Sequence, residues 1–422
     1  MSALSSSELR FDDLTAPQLT DVQRQILEHT ERRRVDLDLD PMVEEAVAEA
    51  GVDDFADTEG LWERARAYVG AIEADDGLTQ LLRGTLRQRV VRLLRNRLSL
   101  TELLKRYPEI ESIPIEKPFI VVGMPRSGTT HLVNLLAADP RRRALPYWES
   151  QEPLPLPGQG PDVSGVDPRY TRAKNEHDAM MVSAPATAAM HDRFPEAIEE
   201  EVEILDLDFA GYVLEWHARV PGWRDFYLGL DQTRHYGYMK TVLQALTFLR
   251  GPRTWVLKSP QHCEQLGPLM ATFPDATVAF THRDPVAVVQ SAITMMAYSD
   301  RLRRTSIEPN WLLDYWTDRV QRLLGACVRD RDIVPADRSV DIAFHHLNGN
   351  EMELLDDLYG RAGVELTPKV RKAFQAYLDS NPRGKHGAVR YDLRGHFGVS
   401  PDELRSRFAF YFDRFDVRPE GS

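Results

Sequence analysis

Residues 118–130, Pro118-Phe-Ile-Val-Val-Gly-Met-Pro-Arg-Ser-Gly-Thr-Thr130, limit what this chain can fold into more than any other stretch. The apolar run 119–122 reads as a buried strand, a glycine-flanked loop follows at once, and Leu132, Leu135 and Leu136 then recur at helical spacing. A strand leading through a tight loop into a helix start gathers free backbone N–H groups and the positive helix end at one point, which makes an anion site. The spacing Gly123-x-x-x-x-Gly128 is that of a phosphate-binding P-loop, but Thr129 stands where such loops carry lysine. Without that lysine the usual grip on β- and γ-phosphates is gone, so an ATP-dependent small-molecule kinase is the weaker reading. Arg126 instead puts a planar, two-pronged cation inside the loop, suited to a phosphate bearing a short anionic extension.

The rest of the chain narrows the class further. Its 422 residues leave room for one large α/β domain and a smaller helical part. A formal charge of −13 argues against nucleic acid as a partner, since phosphate backbones call for a basic face. The longest apolar runs are strand-sized, well short of the ~20 residues that span a bilayer. The first residues, Met1-Ser-Ala-Leu-Ser-Ser-Ser-Glu8, have neither a basic nor an apolar export region, so the cytoplasm is the expected location. Cys263 and Cys327 form no disulfide framework and no metal set. His345 and His346 have no third ligand at metal spacing, so no metal is expected.

Along the chain, residues 1–16 read as a disordered tail, 17–110 as an all-helical N-terminal region, and 111–422 as the P-loop domain. A helical insertion is expected at about 165–250, and its many aromatics read mainly as core, with some lining an apolar cavity. Strands at 119–122, 254–257, 276–281 and 339–344, each followed by a helical stretch, predict an α/β fold with a parallel sheet flanked by helices. Arg141-Arg-Arg143 reads as a solvated turn and Glu199-Glu-Glu201 as an exposed helix start that an acceptor could approach.

A second anchor is His282-Arg-Asp-Pro-Val-Ala-Val-Val-Gln-Ser291, which closes a strand and opens a helix with Asp284 as N-cap and Pro285 at the first helical position. Arg283 then stands at a strand's carboxyl end and Ser291 nearly two turns into the helix, where the pair could hold one more phosphate.

With both anchors in view, the chain resembles the sulfotransferases that use 3′-phosphoadenosine 5′-phosphosulfate (PAPS), most closely their bacterial branch. Residues 119–130 are similar to the 5′-phosphosulfate loop, and Arg283 with Ser291 to the 3′-phosphate pair. Trp255-Val-Leu-Lys-Ser-Pro-Gln-His262, Asn381-Pro-Arg-Gly-Lys-His-Gly387 and Tyr391-Asp-Leu-Arg-Gly-His-Phe-Gly398 fit the same pattern, as do Asp53-Asp-Phe-Ala-Asp57, Asp139-Pro140 and Trp148-Glu149. The likeness spans roughly residues 45–415.

The resemblance implies in-line transfer of a sulfuryl group from PAPS, the co-substrate, to an acceptor hydroxyl, without a metal. Catalysis of that kind rests on positioning and charge stabilisation, plus a base for the hydroxyl. Arg126, Ser127, Gly128, Thr129 and Thr130 are the expected 5′-phosphosulfate ligands. Lys258 would neutralise the leaving phosphate or a sulfate oxygen. Arg283 and Ser291 would hold the 3′-phosphate, with Arg383, Gly384 and Lys385 closing over it. Two residues compete for the base: Glu149, whose neighbours Tyr147 and Trp148 could desolvate it, and His262, four residues past Lys258. His191 and Glu200 are outside candidates. The acceptor is expected to be a small or lipophilic alcohol or phenol, or a glycolipid hydroxyl. The oligomeric state stays open, a homodimer being one option. Besides the kinase, a non-catalytic nucleotide-binding protein is the remaining alternative.

Overall fold

The computed structural model describes residues 9–161, 163–347, 349–382 and 389–420. Its five strands are β1 (Phe119–Gly123), β2 (Arg142–Arg143), β3 (Thr254–Ser259), β4 (Thr277–His282) and β5 (Ser339–Ala343). They lie in the order β2-β3-β1-β4-β5, every pair parallel. All of β1 is buried, as expected of a strand covered on both faces. Its side chains alternate between two apolar cores. Phe119 and Val121 join Val256, Ala279 and Ile342 beneath the helices Thr129–Ala137, Glu351–Ala362 and Pro368–Ser380. Ile120 and Val122 join Leu257, Val278 and Phe280 in the larger core, which the remaining helices cover.

The topology fixes where a ligand can sit. From β1 the chain continues towards β2 on one side, whereas from β3 it continues towards β4 on the other. The loops leaving neighbouring β1 and β3 therefore diverge, and the crevice at their carboxyl ends is the site such sheets offer.

The N-terminal region is helical, with helices Asp21–Thr30, Leu39–Ala50, Leu61–Glu73 and Gln80–Arg106. It shares the larger core, and buried arginines tie it to the insertion. Arg89 reaches Glu203 at 2.6 Å and also Asp206, while Arg97 and Arg64 both hold Asp208. Deeper still, Arg319 of helix Pro309–Asp330 is fully buried. It donates to Glu215 at 2.8 Å and to Glu264 at 2.7 and 2.6 Å, beneath the rings of Tyr212 and Tyr227.

Two expectations need correction. Residues 9–16 are packed rather than a loose tail: Phe11 and Leu14 are buried, Asp13 pairs with Arg301, and Arg390 donates to the Leu9 carbonyl at 2.9 Å. The short polar run hid two apolar anchors. Arg142 and Arg143 are not a solvated turn but edge strand β2. Arg142 is buried over the Phe119 ring at 3.8 Å, with its Nε on the Tyr359 hydroxyl at 3.0 Å, so stacking replaces water around the guanidinium. No helix among the described residues is long and apolar enough to cross a membrane.

Candidate active site

The loop between β1 and helix Thr129–Ala137 is drawn tight by its own side chains. The Ser127 hydroxyl donates to the Met124 carbonyl at 2.6 Å and lies 2.7 Å from the Thr281 hydroxyl on β4. Gly128 has φ +95° and Arg126 φ +71°, the latter a left-handed backbone costing a non-glycine residue roughly 1–2 kcal/mol. Strain of this kind collects at ligand clamps. Among the described residues no acceptor takes the amides of Gly128, Thr129 or Thr130, which head the helix. They are the unpaired donors that an anion at a helix start accepts.

Gly123 is held to hydrogen by close approach. A Cβ there would lie 2.1 Å from Thr281 Oγ1 and 2.9 Å from the Thr281 carbonyl oxygen. The side chain could turn away but the backbone could not. Gly123→Ala is expected to cost about 1–3 kcal/mol of stability, measured by urea denaturation. An unshifted midpoint would overturn this account of the loop.

A buried cluster of opposite charges occupies the end of β3, beside the loop. Lys258 pairs in register with Val121 of β1, and its ammonium donates to Glu200 at 2.6 Å. Its own amide donates to Glu201 Oε2 at 2.8 Å. The other Glu201 oxygen lies 2.6 Å from His262 Nε2, and His262 Nδ1 lies 2.8 Å from the Tyr236 hydroxyl. Glu199 meets His191 Nε2 at 2.9 Å. Burial opposes the Lys258 charge, but Glu200 and Glu199 outweigh it and raise the pKa. Burial, with Glu199 close by, pushes the Glu200 carboxyl up in spite of Lys258. Glu199 is also buried, yet His191 and then Lys258 draw it down to about 2. The triplet 199–201 is thus no exposed helix start. The sequence offers Glu200 and His191 only as outside candidates and hides these pairs, because Lys258, His262 and His191 lie far away in sequence or across a turn. The available signal was six acidic residues within 199–208, interleaved with Ile204, Leu205 and Leu207.

The second anchor joins the first directly. Arg283 Nη1 donates to the Arg126 carbonyl at 2.6 Å, and Arg126 in turn reaches the Met190 carbonyl at 3.5 Å, next to His191. Contacts therefore run unbroken from Arg283 through Arg126 to the segment bearing His191 and Glu199. Asp284 caps the following helix, Pro285–Arg303, through the Val286 amide at 3.0 Å. Ser291 sits two turns along, its hydroxyl accepting from Tyr391 at 3.1 Å. The fork of Arg283 is engaged by Glu420, its Nε and Nη2 meeting the two carboxylate oxygens at 2.7 and 2.6 Å.

The structure does not gather every expected residue. Glu149 is buried, but its carboxylate pairs with Arg250, whose guanidinium also covers Trp148. An arginine therefore stands where apolar desolvation was expected. His262 is wholly buried with both ring nitrogens engaged. Arg383, Gly384 and Lys385 lie outside the described residues. The histidine pair gains a third group after all, since Asp416 Oδ2 comes to 3.5 Å from His345 and 3.9 Å from His346. The positive charge of Arg418 acts on His345 and opposes a cation there. Of the insertion aromatics, Phe209, Tyr212, Trp223, Tyr227 and Tyr236 are core.

The parallel sheet carries the glycine loop and Arg283 at its carboxyl edge, and comparison with known proteins gives this fold a family. Residues 118–368, more than half of the chain, match the profile described as the sulfotransferase family. The chain belongs to that family, and its class of activity is that of a transferase. Sulfotransferase STF1 from Mycobacterium tuberculosis H37Rv is 25% identical with a TM-score of 0.77, covering 89% of this chain and all (100%) of that one. Sulfotransferase STF9 from Mycobacterium avium, 24% identical, shares the fold with a TM-score of 0.79 over 91% of this chain and 98% of that one. Among curated proteins none matches significantly.

Proposed function

We propose that the protein transfers a sulfuryl group from PAPS to a hydroxyl of a small or lipophilic acceptor. The observation that carries this reading is the convergence of Arg126, Lys258 and Arg283 on one sheet edge, with a partly buried carboxylate, Glu200, on the lysine. The donor supplies a sulfuryl group carried on a phosphate oxygen. Arg126, Ser127 and the free amides of Gly128, Thr129 and Thr130 would hold its 5′ end, and Arg283 with Ser291 its 3′-phosphate. The unpaired amides at the helix start fit such an anion. Lys258 is suited to neutralise charge growing on the bridging oxygen, in a site too dry for water to do so.

Glu200 is the base the geometry favours. It is 15% exposed at the side chain, touches the reacting lysine, and burial raises its pKa towards the working range of a proton acceptor. Glu149 is buried against Arg250 and His262 lies wholly buried between Glu201 and Tyr236, so neither has the exposure of Glu200. Apolar side chains Met181, Val182 and Phe194 stand exposed on the stretch that includes His191, which accords with a lipophilic acceptor. Free, buried Cys263 and Cys327 accord with a cytoplasmic setting.

A thermal-shift assay separates the alternatives. Adenosine 3′,5′-bisphosphate is expected to stabilise the protein, by about 2.7 kcal/mol at a hundred times its Kd. Arg126→Ala and Arg283→Ala should each abolish most of that gain. Stabilisation by ATP–Mg²⁺ and not by the bisphosphate would instead make it a kinase. Nucleotide binding without transfer of labelled sulfate to any of an acceptor panel would leave a binding protein only.

A further inference from the structure

The carboxylate on Arg283 comes from a segment that no catalytic motif includes. After helix Ala409–Phe412 the chain anchors Phe415 on the His282 ring, stacked at 3.9 Å. Residues 416–420 then cross the carboxyl end of β4 as a strap. At its far end the Glu420 amide donates to Asp284 Oδ2 at 2.8 Å, and Arg405 donates to the Glu420 carbonyl at 3.0 Å. The strap is therefore pinned at both ends. Between these points it walls a cavity of about 410 Å³, together with Arg283, Phe344 and His345.

The charges in that cavity are arranged for an anion. Asp284 is consumed by its helix cap, by Arg405 and by the strap itself. Glu420 is the other acid of the lining, and it lies on the Arg283 fork with both oxygens. Arg418, on the same strap, faces the cavity exposed and makes no hydrogen bond or ion pair among the described residues. A carboxylate gripped by both prongs of a guanidinium occupies the place of two phosphate oxygens. A phosphate monoester carries up to twice the charge and a third oxygen, so it outcompetes the carboxylate for that fork. The displaced Glu420 side chain, already 38% exposed, can return to water at little cost.

Resting on the sulfotransferase reading above, we propose that the strap completes the site for the donor's 3′-phosphate. Glu420 holds Arg283 while the site is empty, the phosphate displaces it, and Arg418 closes on the phosphate from the opposite side. Glu420 is thus an internal competitor and Arg418 a determinant of specificity for a 3′-phosphorylated nucleotide.

The test is isothermal titration of the full chain with adenosine 3′,5′-bisphosphate and, separately, adenosine 5′-phosphate. Glu420→Gln is expected to tighten the bisphosphate about 3- to 10-fold and leave the monophosphate unchanged, as loss of one competing charge-assisted pair requires. Arg418→Ala should weaken the bisphosphate about 10-fold, again sparing the monophosphate. Arg418 is exposed, so the fold survives its removal, and an unchanged melting temperature would verify this. If the wild type prefers the bisphosphate and both variants keep the same preference, the strap is a bystander, though the sulfotransferase reading stands. If the wild type binds neither nucleotide, or both equally, that reading falls and takes the strap with it.

Discussion

Replacing Lys258 by methionine is expected to lower kcat for sulfate transfer by about 10²–10³, the usual cost of removing one preorganised charge from a transition state. The side chain is 3% exposed, so water cannot take over its role. The strand end should stay in place, because Glu201 holds the residue-258 amide rather than the side chain. The loss should therefore fall on kcat, with the bisphosphate still bound through Arg126 and Arg283. Lys258→Arg should not restore the rate, since a planar fork does not fit where a compact ammonium is enclosed. The pH profile adds a check on the partner. A base acts when deprotonated, and burial holds the Glu200 carboxyl above the ordinary range, so kcat/KM should rise as pH climbs through that elevated value. Glu200→Gln should erase this limb. Single-turnover rates within threefold of wild type for Lys258→Met would remove the lysine from the chemistry.

Arg319→Met should be the most destabilising single change, at about 3–5 kcal/mol, because breaking a buried pair from one side strands its partners. Two carboxylates, Glu215 and Glu264, would lose their shared cation within the core. Burial already raises the Glu215 pKa with Arg319 present, and its removal raises it further. A carboxyl whose folded pKa exceeds its unfolded one contributes stability at low pH that is lost as pH rises through the folded value. The deficit should accordingly be larger at neutral pH than at acidic pH. Adding Glu215→Gln and Glu264→Gln should recover part of it by removing the stranded charges. Guanidinium denaturation at the two pH values measures both effects, and a deficit below about 1 kcal/mol would mean that the pairs only break even.

The sheet was legible because its strands are short apolar runs with helical stretches between them. The strands at 119, 254, 277 and 339 fall within a residue or two of their expected starts. Strand β2 was not, since two arginines have no strand signature and are held there by pairing with Thr254 and Trp255. The loop and Arg283 were visible as motifs, where local spacing carries the geometry. The pairing of the acidic triplet was not, because its partners Lys258 and His262 are some sixty residues away. The surroundings of Glu149 were only half legible for the converse reason: its aromatic neighbours are adjacent in sequence, but its partner Arg250 is about a hundred residues distant. Periodicity speaks for elements and motifs for loops, while long-range ion pairs leave no local trace.

The Glu201 carboxylate has a mechanical consequence. One oxygen binds the β3 backbone and the other a histidine held by the insertion's Tyr236, so a single side chain rivets the helical insertion to the strand that carries the lysine. Any breathing of the insertion should be felt as loosening at residue 258. Exchange of that one amide with deuterated solvent would then time the movement of the insertion away from the strand.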